Sequence, residues 1–333
     1  MLEMFSAGFM QRAWIAGLIV AVICPLIGSF LVLRRQSMIG DGLGHIAFAG
    51  VAGGALLGAQ PVISAALATV AGALVIEKVR SRLNTFSEMV LAIFFYSGIG
   101  LAVIFSSMNR MGGFNLSSIL FGSLMTISTS DLWVVAVLGL FACAFTVVFY
   151  RPLQYITFDE TSARVAGLPA GKLNVWLAVL TALTVALSMR IVGLLLVSAM
   201  MVIPVACALQ SARSFAGTII GGIIYGIITV SAGLTVSYYA DLAPGGTIVL
   251  TGTALFILSC LKSSMVKEDA APQADIIIDF SHHSAVTELL AYAQAVNTPV
   301  IVATTGHTPE ERALIEAAGV PVAAPSANRS GKP

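Results

Sequence analysis

Charge is what this chain most conspicuously lacks. Of 333 residues only 10% are Asp, Glu, Lys or Arg, while 58% are hydrophobic. Soluble domains average roughly 25% charged residues. So few charges cannot cover a water-facing surface of this size, and most of the chain must face lipid. The net charge of +1 gives no sign of a nucleic-acid partner. Paired cysteines are missing too. Cys24, Cys143, Cys207 and Cys260 lie far apart within apolar runs, and they read as small buried hydrophobes rather than metal ligands or a disulfide. The opening stretch MLEMFSAGFMQRAW has no small-residue cleavage site after its first apolar run, so that run is expected to be a retained span. A nucleotide loop is absent as well. GLPAGKL at 167–173 is one residue short between its glycines, and Leu173 stands where a phosphate loop needs Ser or Thr. This chain is therefore expected to carry no ATP site of its own.

What the chain does have is long apolar runs. A spanning helix needs about 20 mostly apolar residues. Such runs fall near 13–33, 38–58, 62–77, 89–107, 131–149, 173–188, 191–210, 215–236 and 246–262. The third and sixth are short and the 188/191 break is weakly marked, so the expectation is an all-α polytopic membrane protein of eight or nine transmembrane helices. FNLSSILFGSLMTIS at 114–128 reads as a short re-entrant or interfacial helix. With the N-terminus outside, the inner loops collect Arg34, Arg35, Lys78, Arg80, Arg82, Arg151, Arg164, Lys172, Arg213, Lys262 and Lys267, against Arg12, Arg110 and Arg190 outside. That bias sets the orientation and makes the C-terminus cytoplasmic. Glycines recur at four-residue spacing at Gly40/Gly44, Gly50/Gly54/Gly58, Gly217/Gly221 and Gly222/Gly226. Such spacing lets helices approach closely in lipid, within the bundle or between protomers.

Two ionisable residues interrupt the second run. Asp41 and His45 stand four apart, on one face if the segment is helical. Counted from Arg35 at 1.5 Å per residue, His45 falls about 15 Å in, near the middle of a roughly 30 Å hydrocarbon layer. An ionisable residue at that depth marks a pathway or binding site by default. A carboxylate and an imidazole also suit a divalent transition metal such as Mn²⁺ or Zn²⁺. The alternative is that Asp41 caps its helix and a neighbouring carbonyl satisfies His45. The longest inner connection, YRPLQYITFDETSARVAGLPAGK at 150–172, is expected to be helical over Thr161 to Arg164 and to end at Gly167 and Pro169. It is either a solvated connector or a surface offered to a cytoplasmic motor.

The stretches GSFLVLRRQSMIGDGLGHIAFAGVAGG, SILFGSLMTISTSDLW, ITFDETSARVAGLPAGKLN, RIVGLLLVSAMMVIPVACAL and SYYADLAPGGTIVL occur in the order seen in the membrane permeases of zinc/manganese ABC importers, which residues 1–262 resemble. The resemblance implies a homodimeric or paired permease in a bacterial inner membrane. Its partners would be a cytoplasmic ABC ATPase and an extracytoplasmic metal-binding protein received near 108–115 and 237–246. It places the transient metal site on Asp41 and His45. It also makes 158–168, with Phe158, Asp159, Glu160, Ala163, Arg164 and Gly167, the ATPase-coupling element. No cofactor would be bound, zinc or manganese would be the cargo, and ATP hydrolysis would lie in the partner. One departure is Gly44, where the family commonly has serine, which removes a weak oxygen contact.

Residues 1–265 are thus expected to form the transmembrane domain and 266–333 a cytoplasmic tail. DIIIDF and TPVIVATTG are β-branched runs flanking a helical pattern, so the tail reads as a short α/β fragment. DIIIDFSHHSAVTELLAYAQ with ATTG at 303–306 resembles the middle of the dinucleotide-binding domain of dihydrodipicolinate reductase, without its glycine-rich first turn. His282 and His283 read as surface residues of that fragment. PVAAPSANRSGKP resembles a short motif of threonylcarbamoyl-AMP synthases. Two other functions are open to the residues: a secondary cation transporter needing no ATPase, and a membrane-anchored reductase acting through the tail.

Overall fold

The computed structural model describes residues 8–82, 87–108, 122, 128–267 and 274–324. It divides into two units, residues 1–263 and 264–333. The expected re-entrant helix at 114–128, the outer loop after 108 and the synthase-like end of the tail fall almost wholly outside the described residues.

The first unit is helical: α1 (Gly8–Leu33), α2 (Ile39–Leu56), α3 (Pro61–Arg82), α4 (Ser87–Met108), α5 (Thr129–Val148), α6 (Tyr150–Phe158), α7 (Glu160–Val165), α8 (Ala170–Val192), α9 (Leu194–Leu209), α10 (Phe215–Ala240) and α11 (Pro244–Lys267). Eight of these are long and apolar enough to cross a membrane, and the 16-residue α9 is a shorter apolar helix. The two spans that looked short are not. Polar and charged ends extend α3 to Arg82 and α8 back to Ala170, and a count of apolar residues alone misses them. The break expected at 188/191 lies instead at Gly193, whose φ of 88° separates α8 from α9. That left-handed region is open to glycine and costly for a residue with a Cβ.

Burial sorts the helices. α1 is central, with 72% of its apolar window buried, whereas α3, α4 and α11 bury only 22% each and turn apolar side chains such as Leu67, Ile93 and Leu250 outward. α1 packs against α5, α8, α9 and α10, while α2 is held between α3 and α4. Lipid gives helices no hydrophobic reason to associate, so close packing must do it. At Gly28 an added Cβ would lie 2.0 Å from the Met201 carbonyl oxygen of α9. At Gly226 it would lie 2.6 Å from the Ala21 carbonyl, the very group that Pro25 leaves without its helical donor. Gly50 and Gly54 meet α3 the same way, with Cβ positions 2.8 Å from Ser64 O and 2.0 Å from Ser64 Oγ. The glycine stripes at these positions therefore serve packing within the chain. Gly58 instead takes a φ of 67° in the turn after α2, with nothing near it.

The turn from α1 to α2 is tightly closed. Gln36 N donates to Leu31 O at 2.8 Å and Arg35 N to Val32 O at 3.0 Å, while Ile39 N donates to Gln36 O at 3.0 Å. The first two bonds form the paired closure that usually has glycine in the left-handed position. Here Arg35 occupies it at a φ of 58°. Other ends are capped locally: Ser128 and Asp131 form a capping box at α5, and Ser214 accepts from Gly217 N at α10.

The second unit contains β1 (Ile277–Asp279), α12 (Val286–Val296), β2 (Val300–Val302), α13 (Pro309–Glu316) and β3 (Val322–Ala323), in a parallel sheet of order β1-β2-β3. Ile277 pairs with Val300, and Val300 with Val322. Ala293, Val300, Val302 and Val320 form its small core. His282 is exposed, as expected of a surface group, whereas His283 is half-buried, its Nδ1 3.1 Å from the carboxylate of Glu311.

The backbone contact at Gly28 generates a test. Gly28→Ala should destabilise the purified protein by roughly the 1–3 kcal/mol usual for overpacking a tight core, read as a lower thermal midpoint in detergent. Gly171→Ala, with open space at its Cβ, should leave the midpoint unchanged.

Candidate functional site

Asp41 and His45 lie in the first two turns of α2, both half-buried. The helix starts only at Ile39, because residues 34–38 form the turn. His45 is therefore six residues, or about 9 Å, along its helix. The expected 15 Å assumed that the helix ran on from Arg35. The capping alternative for this pair is not what the structure contains. The N-cap is Met38, with no side-chain cap bond, and His45 Nδ1 is buried without a hydrogen-bond partner.

Glycines again permit the arrangement. An added Cβ on Gly98 of α4 would sit 3.0 Å from the His45 carbonyl carbon, so α4 crosses the His45 backbone closely. Phe95, one turn earlier on α4, sets its ring edge-to-face with the imidazole at 4.7 Å, a favoured aromatic geometry that restricts the ring's tilt. On the other side α8 and α9 approach α2. A Cβ on Gly44 would fall 2.0 Å from Leu194 Cδ1, and one on Gly40 would fall 3.3 Å from Met201 Sδ and 4.0 Å from Ser198 Oγ. Leu194 thus fills the space that a serine at 44 would take. The hydroxyls of Thr184, Ser188 and Ser198, buried on α8 and α9, have no hydrogen-bond partner among the described residues. What the site offers a cation is one carboxylate and one free imidazole nitrogen on a single helix face. Among the described residues no third His, Cys, Asp or Glu joins them.

At the charged end of the bundle the residues expected to couple to an ATPase, 158–167, take separate places. Phe158 ends α6, exposed, its ring 5.7 Å from that of Phe215. Asp159 caps α7: it accepts from Ser162 N at 2.9 Å and from the Ser162 hydroxyl, and these bonds hold its carboxyl below the usual carboxylate range. Ala163 is fully buried. Arg164 is exposed and pairs with Glu160 at 2.5 Å, and Gly167 ends the element with a φ of 82°. The expected helix over 161–164 is therefore real and one residue longer at each end.

Sequence reading missed the inner partners of this element. Arg80 donates to Glu77 through Nε at 2.9 Å and through Nη2 at 2.7 Å, and its Nη2 lies 3.5 Å from Glu160 Oε2. Arg34 donates from Nη1 to Asn174 Oδ1 at 2.7 Å and from Nε to Thr157 Oγ1 at 3.4 Å. Burial, and then the charge of Arg80, push the Arg34 guanidinium down to about 10. Burial would raise the Glu160 carboxyl, but the hydrogen bond from Arg164 and the charge of Arg80 outweigh it and hold it low. The available signal was Glu77 three residues before Arg80, an oriented pair at the end of an apolar run.

Comparison with known proteins agrees with this architecture. Residues 6–263 match the model of the ABC 3 transport family, and residues 254–326 match that of the N-terminal part of dihydrodipicolinate reductase. The manganese transport system membrane protein MntC of Halalkalibacterium halodurans is 32% identical over 77% of this chain and 88% of its own. The high-affinity zinc uptake system membrane protein ZnuB of Haemophilus influenzae is 30% identical over 75% of this chain and 96% of its own. Among solved structures, PsaBC from Streptococcus pneumoniae in complex with Fab superposes with a TM-score of 0.70 at 27% identity, over 80% of this chain and 97% of that one. Since the first match spans nearly the entire helical unit, the chain belongs to the ABC 3 transport family.

Proposed function

We propose that this chain is the membrane permease of an importer that carries zinc or manganese inward, with Asp41 and His45 as transient ligands and a separate cytoplasmic ATPase as the motor. The observation that carries the reading is the free His45 Nδ1 beside Asp41 on one face of a largely buried helix, in a chain of the ABC 3 transport family. A buried imidazole nitrogen without a partner is costly unless something visits it. Two ligands make a weak site, and a transport site must also release its ion. Manganese and zinc relatives both support the cargo class, and an imidazole with a carboxylate suits either ion.

The positively charged end that gathers Arg34, Arg80 and Arg164 is the cytoplasmic face, which sets the N-terminus outside and the end of α11 inside. The motor would seat on α6 and α7, where Phe158, Asp159 and Arg164 are exposed. A metal-binding protein would load the opposite face, near the turn after α10, and two copies of the chain would form the transport unit. The 266–333 tail is a separate unit with no part in transport.

Three measurements check this. Asp41→Asn and His45→Ala, at normal membrane levels, should each cut cellular zinc or manganese uptake by at least the roughly 10–100-fold seen when a metal ligand loses its support; uptake equal to the parent would sink the site. Gly44→Ser should lower both thermal midpoint and uptake, because the new Cβ meets Leu194, and a second change, Leu194→Ala, should restore them. A chain ending at Lys267 should transport as the full chain does, and loss of uptake by that truncation at normal levels would assign the tail a role.

A further inference from the structure

The charged cluster at the cytoplasmic end is an odd way to hold a bundle together. It sets Arg34, Arg80 and Arg164 against Glu77 and Glu160, and the side chains of Arg80 and Glu77 are only 10% and 12% exposed. Burying such pairs costs desolvation that their attraction barely repays, so a buried ion pair is weak evidence for stability. Its value lies in geometry. The two parallel bonds from Arg80 to Glu77 lock the guanidinium to α3, a fork that a point charge could not fix in direction. The same Nη2 then reaches out of α3 to Glu160, the first residue of α7.

What lies behind α3 gives the bridge a destination. α3 is keyed to α2 through Gly50 and Gly54, and Gly72 of α3 leaves 2.8 Å between its would-be Cβ and Ile46 Cδ1. Ile46 adjoins His45. A displacement of α3 along these contacts cannot leave the Asp41–His45 face where it was, because close-packed interfaces transmit strain. The chain itself offers a competing route, since α7 runs through residues 166–169 directly into α8. If motion passed only along that covalent link, the side-chain bridge to α3 would be dispensable.

We propose that the Glu160–Arg80 ion pair, oriented by Glu77, is the link that delivers movement of α7 to α3 and thereby to the Asp41–His45 face of α2. Both are positioning residues: neither touches the ion. The inference rests on the reading that a separate ATPase drives α7, and it adds the route. Arg80 sits behind Glu160 and is too buried to meet the ATPase directly, so its contribution must pass through the permease.

The test uses the full permease with its ATPase in proteoliposomes, measuring metal transported per ATP hydrolysed. Glu160→Gln and Arg80→Gln should each lower that ratio roughly fivefold, the scale of a contact coupling of about 1 kcal/mol, and in Arg80→Gln, whose side chain is only 10% exposed, the ATPase should still co-purify and still hydrolyse ATP. The double variant should be no worse than the poorer single, and Arg80→Lys, which keeps the charge, should fall between wild type and Arg80→Gln. A wild-type ratio in Glu160→Gln, or singles whose effects simply multiply in the double, would overturn the inference. Should Arg80→Gln fail to reach the membrane, Arg80→Lys decides: it keeps the charge at the Glu77 and Glu160 contacts but not the fork, and a wild-type ratio in it would overturn the inference. A wild-type permease that transports without any ATPase would overturn the reading beneath it as well.

Discussion

Everything in the helical unit depends on backbones meeting at distances that exclude a side chain. In water, apolar faces would drive the helices together; in lipid, the surroundings are as apolar as the faces, and only dense contact distinguishes the packed state. Gly28 against Met201 O and Gly226 against Ala21 O fix α9 and α10 to α1. Gly50, Gly54 and Gly98 then fix α2 between α3 and α4. The position of His45 follows from these contacts, which set where its helix lies between α3 and α4. A polar site in a membrane protein is thus held by residues that have no side chain.

How much of this is legible in the sequence depends on the range of the interaction that decides it. Hydropathy is local, so the spans were readable. So was the Asp41–His45 pair, whose spacing alone puts both groups on one face, and the short helix before Gly167, whose cap residue Asp159 precedes it by one. The start of α2 was readable to within a residue, the run near 38 against Ile39, but the closed turn before it was not. It hinges on Arg35 in a left-handed conformation, where the local sequence offers no glycine. The break at Gly193 was missed because Gly193 resembles the glycines that sit inside helices. One partner of Arg80 was hidden for a different reason. Glu160 lies 80 residues away in the chain, and only the fold brings α7 against the end of α3.

The tail obeys other physics. Its three strands have three, three and two residues, and its parallel pairing needs helices to return the chain. Local signals carry it: Asn297 ends α12 in the left-handed region, and Thr308 with Glu311 forms a capping box at α13. Such local signals are why its helical and extended segments were visible in sequence although its apolar core is small. The family match over 254–326 covers most of this unit and runs back into α11, where the first match ends at 263.

The closed turn at residues 34–38 has a mechanical consequence. Three backbone hydrogen bonds take up the chain between α1 and α2, and α1 has the most enclosed apolar window of the eight long spans. Such a link has no slack to extend. It acts as a pivot rather than a tether, and α2 can rock about its lower end but cannot slide along its own axis like a piston. An ion held by Asp41 and His45 would change its exposure by an angle, and a small rotation at the pivot would be felt most at the far end of α2, beyond His45.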